Sequence, residues 1–219
     1  MNIFLIRHGE SIQNVGCNIQ NLPDFKVTLT ENGKNDAKLC GEFLKEYCTE
    51  NNIDTTSATL FVSPFERTRQ TAKIVNEYLN IPNIKEDALL IERQYGLFDN
   101  LTYEERAKYK DAYDFQNWMY QNGGNFYTKF PLGESNFDVF VRARFFLETL
   151  SHEIKTGNEN FFIVSHGGFL KCLQMAYFNY SPEWFCEELY MNNCDVKLFQ
   201  DIDGKRFDRD YIFRDHKKI

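Results

Sequence analysis

The sequence predicts an α/β fold, a three-layer sandwich of helices on both faces of a mostly parallel sheet, and three observations lead to it. Short continuous apolar runs alternate with longer amphipathic stretches, the pattern of strands buried on both faces and joined by crossover helices. No internal repeat, low-complexity tract or Pro/Gly-rich linker divides the chain, so residues 1–219 read as a single domain. The composition is 42% hydrophobic and 26% charged, as in globular chains, and its 21 Phe point to a core of large flat side chains.

The expected strands are residues 3–6, 59–62, 89–91 and 161–164, each short and continuous, as for strands buried on both faces. A helix is expected after Thr30, with Ala37, Cys40, Phe43, Leu44 and Tyr47 facing inward. Ser63-Pro64-Phe65-Glu66 reads as a capping box with Pro at the first helical position, followed by an apolar stripe at Ala72, Val75 and Leu79. Further helices are expected over residues 136–154 and 168–178. A closing hairpin over residues 196–199 and 211–213 turns at Asp203-Gly204. Residues 93–137 fit neither period and read as short helices and loops laid over the sheet edge.

Charge and cysteines exclude several classes. A net charge of −7 argues against nucleic acid or an anionic membrane as partner, since either needs a basic face. No run approaches the roughly 18 apolar residues of a membrane span, and residues 3–6 are too short for a signal-peptide core, so the cytoplasm is the expected location. The six cysteines show neither a C-x-x-C pair nor zinc spacing and are expected as buried free thiols.

The chemistry lies just beyond each run. The first ends in Arg7-His8-Gly9-Glu10-Ser11 and the second in Ser63-Pro64-Phe65-Glu66-Arg67-Thr68. The third ends in Glu92-Arg93 and the fourth in Ser165-His166-Gly167-Gly168. Open α/β sheets bind ligands at the carboxyl ends of their strands, so these residues are expected on one edge. Guanidinium groups suit the equatorial oxygens of a phosphoryl group. Neutral imidazole is a nucleophile near pH ~7, and a carboxylic acid can protonate a leaving alkoxide. A second histidine can bond the transferring group. Each of these residues is compatible alone with a structural role; their repeated placement after strands is not easily obtained by chance.

A metal-dependent route is not expected, because there are only four His, no H-E-x-x-H pair, and an arginine beside His8. The G-x-S-x-G elbow and the Walker and dinucleotide glycine loops are absent too, and no cofactor is expected.

At these residues the sequence resembles the histidine phosphatase superfamily, in its phosphoglycerate-mutase-like branch. Leu5-Ile6-Arg7-His8-Gly9-Glu10-Ser11, with Asn14 after it, is similar to the family's Arg-His-Gly signature. The segment from Ser63 to Ala72 resembles the second motif, Glu92-Arg93-Gln94-Tyr95-Gly96 the proton-donor segment, and Ile163-Val164-Ser165-His166-Gly167 the last motif. Leu29-Thr30-Glu31-Asn32-Gly33 and Pro131-Leu132-Gly133-Glu134-Ser135 add weaker likeness.

The resemblance implies a six-stranded sheet, a helical lid inserted over residues 93–137, and catalysis through phosphorylated His8 without metal. It assigns catalysis to His8, Glu92, His166, Arg7 and Arg67, and binding of a small phosphate monoester to Arg7, Asn14, Arg67, Arg93 and Gly167. The mutases' Thr-Gly pair after the first motif is missing here, as are their adjacent lid arginines. A phosphomonoesterase is therefore expected first. A phosphoglycerate-type mutase, or a non-catalytic relative that binds phosphate esters or proteins, remains as the alternative.

Overall fold

The structure is a computed structural model that describes residues 1–16, 22–99, 101, 103–155 and 157–219. Its strands are β1 (Asn2–Arg7), β2 (Thr59–Val62), β3 (Asn83–Glu86), β4 (Asn160–Ser165), β5 (Val196–Ile202), β6 (Lys205–Arg214) and β7 (Lys217–Lys218). Its helices are α1 (Glu31–Glu50), α2 (Glu66–Leu79), α3 (Tyr103–Lys108), α4 (Lys110–Asn122), α5 (Asn136–Lys155), α6 (Gly167–Phe178) and α7 (Pro182–Glu187). The strands form one sheet in the order β3-β2-β4-β1-β5-β6-β7. β3, β2, β4 and β1 run parallel, and β5, β6 and β7 are added antiparallel. The sheet thus has seven strands rather than six, because the two lysines of β7 pair with Phe213 and Arg214.

The layering follows from the pleat, which sends successive side chains to opposite faces. Phe4, Ile6, Leu60, Val62, Phe162 and Val164 pack on one face against Ala37, Phe43 and Leu44 of α1 and Val75 and Leu79 of α2. Ile3, Leu5, Phe61, Phe161 and Ile163 pack on the other against Val139, Phe146 and Leu150 of α5 and Phe169 and Leu173 of α6. Phe4 and Phe162, on neighbouring strands, stack at 4.5 Å with ring planes 5° apart. Loss of either ring would cost about 3–5 kcal/mol.

Local signals explain most boundaries. Thr30 caps α1, its hydroxyl accepting from Gly33 N at 3.0 Å. The β5–β6 hairpin turns at Asp203-Gly204, both at positive φ (52° and 76°), as a tight turn with right-handed strand twist demands.

Two expectations need correction. Residues 89–91 are not a strand: Ala88–Leu90 form a single helical turn started by the Asp87 carboxylate, which accepts from Leu89 N at 2.8 Å. The strand beside β2 is instead Asn83-Ile84-Lys85-Glu86, an edge strand that has no apolar run because its side chains face solvent or are half-buried. Ser63 does not cap α2 and Pro64 is not its first residue. The helix begins at Glu66, with Phe65 at the cap position and no side-chain bond there.

Cys40, Cys48, Cys172 and Cys194 are buried free thiols, as expected, whereas Cys186 is exposed; Cys17 lies outside the described residues. Among the described residues no helix is long and apolar enough to cross a membrane.

Candidate active site

β1 and β4 deliver the two histidines. Arg7 pairs with Ser165 in parallel register, and His8 N still donates to Ser165 O at 3.0 Å, so both strands are held up to the point where the histidines begin. The loop after His8 lies against the first turn of α1. A Cβ on Gly9 would sit 2.4 Å from Gly33 O, and one on Gly33 would sit 2.0 Å from Glu10 O. Only glycine at both positions allows this approach.

His8 is 4% exposed and its Nδ1 lies 2.8 Å from Gly9 O. A carbonyl oxygen only accepts, so Nδ1 carries the proton and Nε2 of the neutral ring keeps its lone pair. Burial, and then the positive charges of Arg67 and Arg7, hold the His8 pKa well below 6.5.

The His166 ring centroid lies 5.1 Å from that of His8, with an interplanar angle of 64°. Its Nε2 is 2.8 Å from Ser63 Oγ, which accounts for the missing cap on α2. Its Nδ1 is buried without a partner among the described residues. Burial, with Arg67, His8 and Arg7 following, also lowers its pKa well below 6.5.

The two arginines differ in how they are held. Arg7 donates through Nη1 to the Met191 carbonyl, while its Nε is buried and has no partner among the described residues. Gly167 faces this Nε: a Cβ there would lie 3.4 Å away. Arg67 is 2% exposed and grips Asp24, from Nη1 to Oδ1 at 2.9 Å and from Nη2 to Oδ2 at 3.3 Å, with its guanidinium 5.0 Å from the Phe65 ring centre. Neither Asp24 nor Ser63 was expected here. Asp24 lies on a single-turn helix with no apolar period, and Ser63 carries a sequence pattern that equally describes a cap.

Glu92 follows the turn at residues 88–90 rather than a strand, and reaches the same place through the N-terminus of α6. Its carboxylate accepts from Gly168 N at 3.0 Å, Phe169 N at 3.2 Å and Arg93 N at 2.9 Å. The first two are free N–H groups of a helix start, which favour an anion. A Cβ on Gly168 would come within 2.5 Å of Glu92 Oε1, so the second glycine after His166 makes room for this contact.

Asn14 and Arg93 stand apart from this cluster. Asn14 Oδ1 accepts from Ser11 N and Ser11 Oγ at 3.0 and 2.9 Å and from Asn193 Nδ2 at 3.3 Å. Asn193 also donates to His8 O at 2.9 Å, so both asparagines brace the loop that carries His8. Arg93 is buried in the 93–137 segment. It donates to Glu134 O at 2.9 Å and Thr128 O at 3.3 Å, and lies about 5 Å from the Tyr95 and Phe130 rings.

The arrangement is a neutral imidazole with a free lone pair, a second neutral imidazole, two guanidinium groups and a carboxylate. An unpaired guanidinium N–H beside a second guanidinium and two imidazoles invites an anion with several oxygens.

The lowered histidine values have a consequence for stability. Both folded-state pKa values lie below the ordinary ~6.5, so the unfolded chain takes up these protons first. Stability from this source is full above about pH 6.5 and is lost as the pH falls toward the folded values, by up to ~1.4 kcal/mol per pH unit for each ring. Urea-unfolding midpoints should fall between about pH 7 and about pH 5, and His166→Asn should flatten that slope. Equal slopes in the two proteins would refute it.

The chain belongs to the histidine phosphatase superfamily (branch 1), whose family model matches residues 3–208. It is 30% identical to the 2,3-bisphosphoglycerate-dependent phosphoglycerate mutase 2 of Gloeobacter violaceus, over 83% of this chain and 77% of that one. It is 32% identical to phosphoserine phosphatase 1 of Hydrogenobacter thermophilus, over 76% of this chain and 71% of that one. Its fold matches the alpha-ribazole phosphatase of Shigella flexneri with a TM-score of 0.76 at 20% identity, covering 96% of each chain. The relatives thus include both phosphatases and mutases.

Proposed function

We propose that this protein is a metal-independent phosphomonoesterase that works through a phosphohistidine on His8 and acts on a small phosphate monoester. The observation that carries the reading is the pair of buried nitrogens without a partner among the described residues, Arg7 Nε and His166 Nδ1, in the cluster around His8. Arg7 Nε is an N–H donor in any state, and a buried donor without a partner costs about 1–3 kcal/mol, which an oxyanion would offset.

In this reading Arg7, Arg67 and His166 hold the phosphoryl oxygens. His8 Nε2 attacks phosphorus, the N–P bond forms as the ester P–O bond breaks, and Glu92, having taken a proton from the incoming phosphate monoanion, passes it to the leaving oxygen. Water then attacks the phosphohistidine, Glu92 takes a proton from that water, and the N–P bond breaks to release phosphate and restore His8. Residues 93–137 close over this site as a lid. The net charge of −7 and the buried thiols fit action on a small molecule in the cytoplasm, away from nucleic acid and membranes.

Hydrolysis is favoured over isomerisation by charge. A mutase must retain a highly anionic intermediate, whereas Asp24 sits on Arg67 and residues 93–137 carry six acids against five bases. The Glu92-Arg93 segment, similar to that of the mutases, is what supports the alternative.

The deciding assay supplies 3-phosphoglycerate with a trace of 2,3-bisphosphoglycerate, and in parallel a panel of phosphate monoesters, all in EDTA. Phosphate release without appreciable 2-phosphoglycerate is expected, and chelation should leave the rate unchanged. Isomerisation with little phosphate release would overturn the phosphatase reading. Loss of activity in EDTA, restored by Mg²⁺ or Zn²⁺, would overturn the metal-free mechanism.

A further inference from the structure

Ser63 is the first residue after β2, as His166 is the first after β4, and its main chain is fastened on both sides. Its N–H donates to Val164 O at 3.1 Å on β4, and its carbonyl accepts from Thr68 Oγ1 at 2.8 Å. Val62 and Val164 are register partners, so the two strand ends stand side by side. The hydroxyl is thereby set against the imidazole of His166, with Oγ 2.8 Å from Nε2. Phe65, from the same turn, packs its ring on that imidazole at 5.1 Å and 69°. One short turn supplies both a polar and an apolar contact to the ring.

The direction of the polar contact follows from counting hydrogens. Ser63 and His166 are both fully buried. Among the described residues Nε2 is the only partner of the Ser63 hydroxyl, and Nδ1 has none. The ring is neutral near pH ~7, its pKa being held well below 6.5 by burial and then by its cationic neighbours, so it carries one N–H and one lone pair. If Nε2 held the proton it would donate to Oγ, and two groups would be left over. The hydroxyl hydrogen would lack an acceptor, and the Nδ1 lone pair would lack a donor. If the hydroxyl donates to Nε2 instead, a single group is left, an N–H at Nδ1. Buried polar groups are paired wherever geometry allows, which favours the second arrangement. An oxyanion in the site widens the difference, because it meets a lone pair in the first case and a donor in the second.

We infer that Ser63 is a positioning residue of the phosphoryl site: its hydroxyl donates to His166 Nε2 and so keeps the ring's proton on Nδ1, as the N–H that meets a phosphoryl oxygen. The inference rests on the phosphatase reading for the identity of the anion, and it deepens that reading by naming what sets the tautomer of the second histidine. His8 is set in the opposite sense, since Gly9 O accepts from its Nδ1 and leaves Nε2 bare. An acceptor beside one ring makes a nucleophile, and a donor beside the other makes a hydrogen-bond donor.

The test reads the tautomer directly. In protein carrying isotope-labelled histidine, long-range proton–nitrogen correlation spectra separate the protonated ring nitrogen from the bare one, and His166→Asn identifies the His166 signals by their loss. We expect the proton on Nδ1 of His166, and inorganic phosphate should shift that Nδ1 signal. In Ser63→Ala the ring should become a mixture of tautomers. Its kcat/KM for p-nitrophenyl phosphate should fall by about tenfold or more, toward the ~10²-fold scale of removing one preorganised donor. Ser63→Thr, which keeps the hydroxyl, should recover most of that loss. In a His166→Asn background Ser63→Ala should cost little further, because it acts through the ring. A proton on Nε2 in the wild-type protein overturns the inference, whether or not Ser63→Ala folds. An unaltered tautomer in Ser63→Ala, or an equal loss in both backgrounds, overturns it as well. If p-nitrophenyl phosphate is turned over while the proton sits on Nε2, the inference falls and the phosphatase reading stands. If no ester is turned over, the phosphatase reading falls; a shift of the Nδ1 signal by inorganic phosphate then upholds the inference, and its absence overturns it.

Discussion

Replacing His8 with alanine should abolish the acid-labile, base-stable phosphoprotein formed during turnover and lower kcat by roughly 10⁴-fold or more, the scale of deleting a covalent nucleophile. The expectation comes from the tautomer. Gly9 O fixes the proton on Nδ1, and burial with two guanidinium neighbours holds the pKa well below 6.5, so Nε2 keeps its lone pair at neutral pH. The variant should still fold. What ties His8 into the sheet is main chain: His8 N to Ser165 O and His8 O from Asn193 Nδ2 survive the substitution. Rapid quenching with labelled substrate, followed by acid and base treatment, reads the result. Label that resists acid and is lost in base would place the phosphate on another residue, such as serine, and end the phosphohistidine mechanism.

The second large effect is expected at Glu92. Glu92→Gln should slow alkyl phosphates by roughly 10²–10⁴-fold while affecting aryl phosphates much less, since a phenolate leaves without help. The substitution has a structural side as well. A Gln amide nitrogen must meet one of the N–H groups of Gly168, Phe169 and Arg93 that now face the carboxylate, which weakens the start of α6. That loss would lower both substrate classes together, so the alkyl-to-aryl ratio separates the two roles. An unchanged ratio removes Glu92 from proton transfer and leaves it as the cap of α6.

The parts legible in the sequence were those where burial and chemistry coincide. Residues 3–6, 60–62 and 161–164 are apolar throughout because β1, β2 and β4 are covered on both faces, and the polar residues after them stand out for that reason. β3 escaped because an edge strand needs no apolar run. Residues 89–91 imitated a strand although Asp87 winds them into a turn. Ser63 misled because capping and bonding to His166 call for the same hydroxyl at the same place. Asp24 left no trace, since an ion pair to Arg67 across the fold has no local pattern. The exposed Cys186 sits on a short surface helix, where nothing in the spacing separates it from its buried counterparts.

Arg7 and Ser165 are register partners, so residues 8 and 166 leave adjacent parallel strands at one level. Neighbouring strands run ~4.8 Å apart in every sheet, and the two imidazole centroids are 5.1 Å apart. The spacing between the two histidines is thus inherited from the hydrogen-bond lattice of the backbone. Changes in the loops that follow the strands can accumulate without disturbing it. Such a scaffold divides labour along its length: the sheet fixes the pair of histidines, and the loops are free to vary around it.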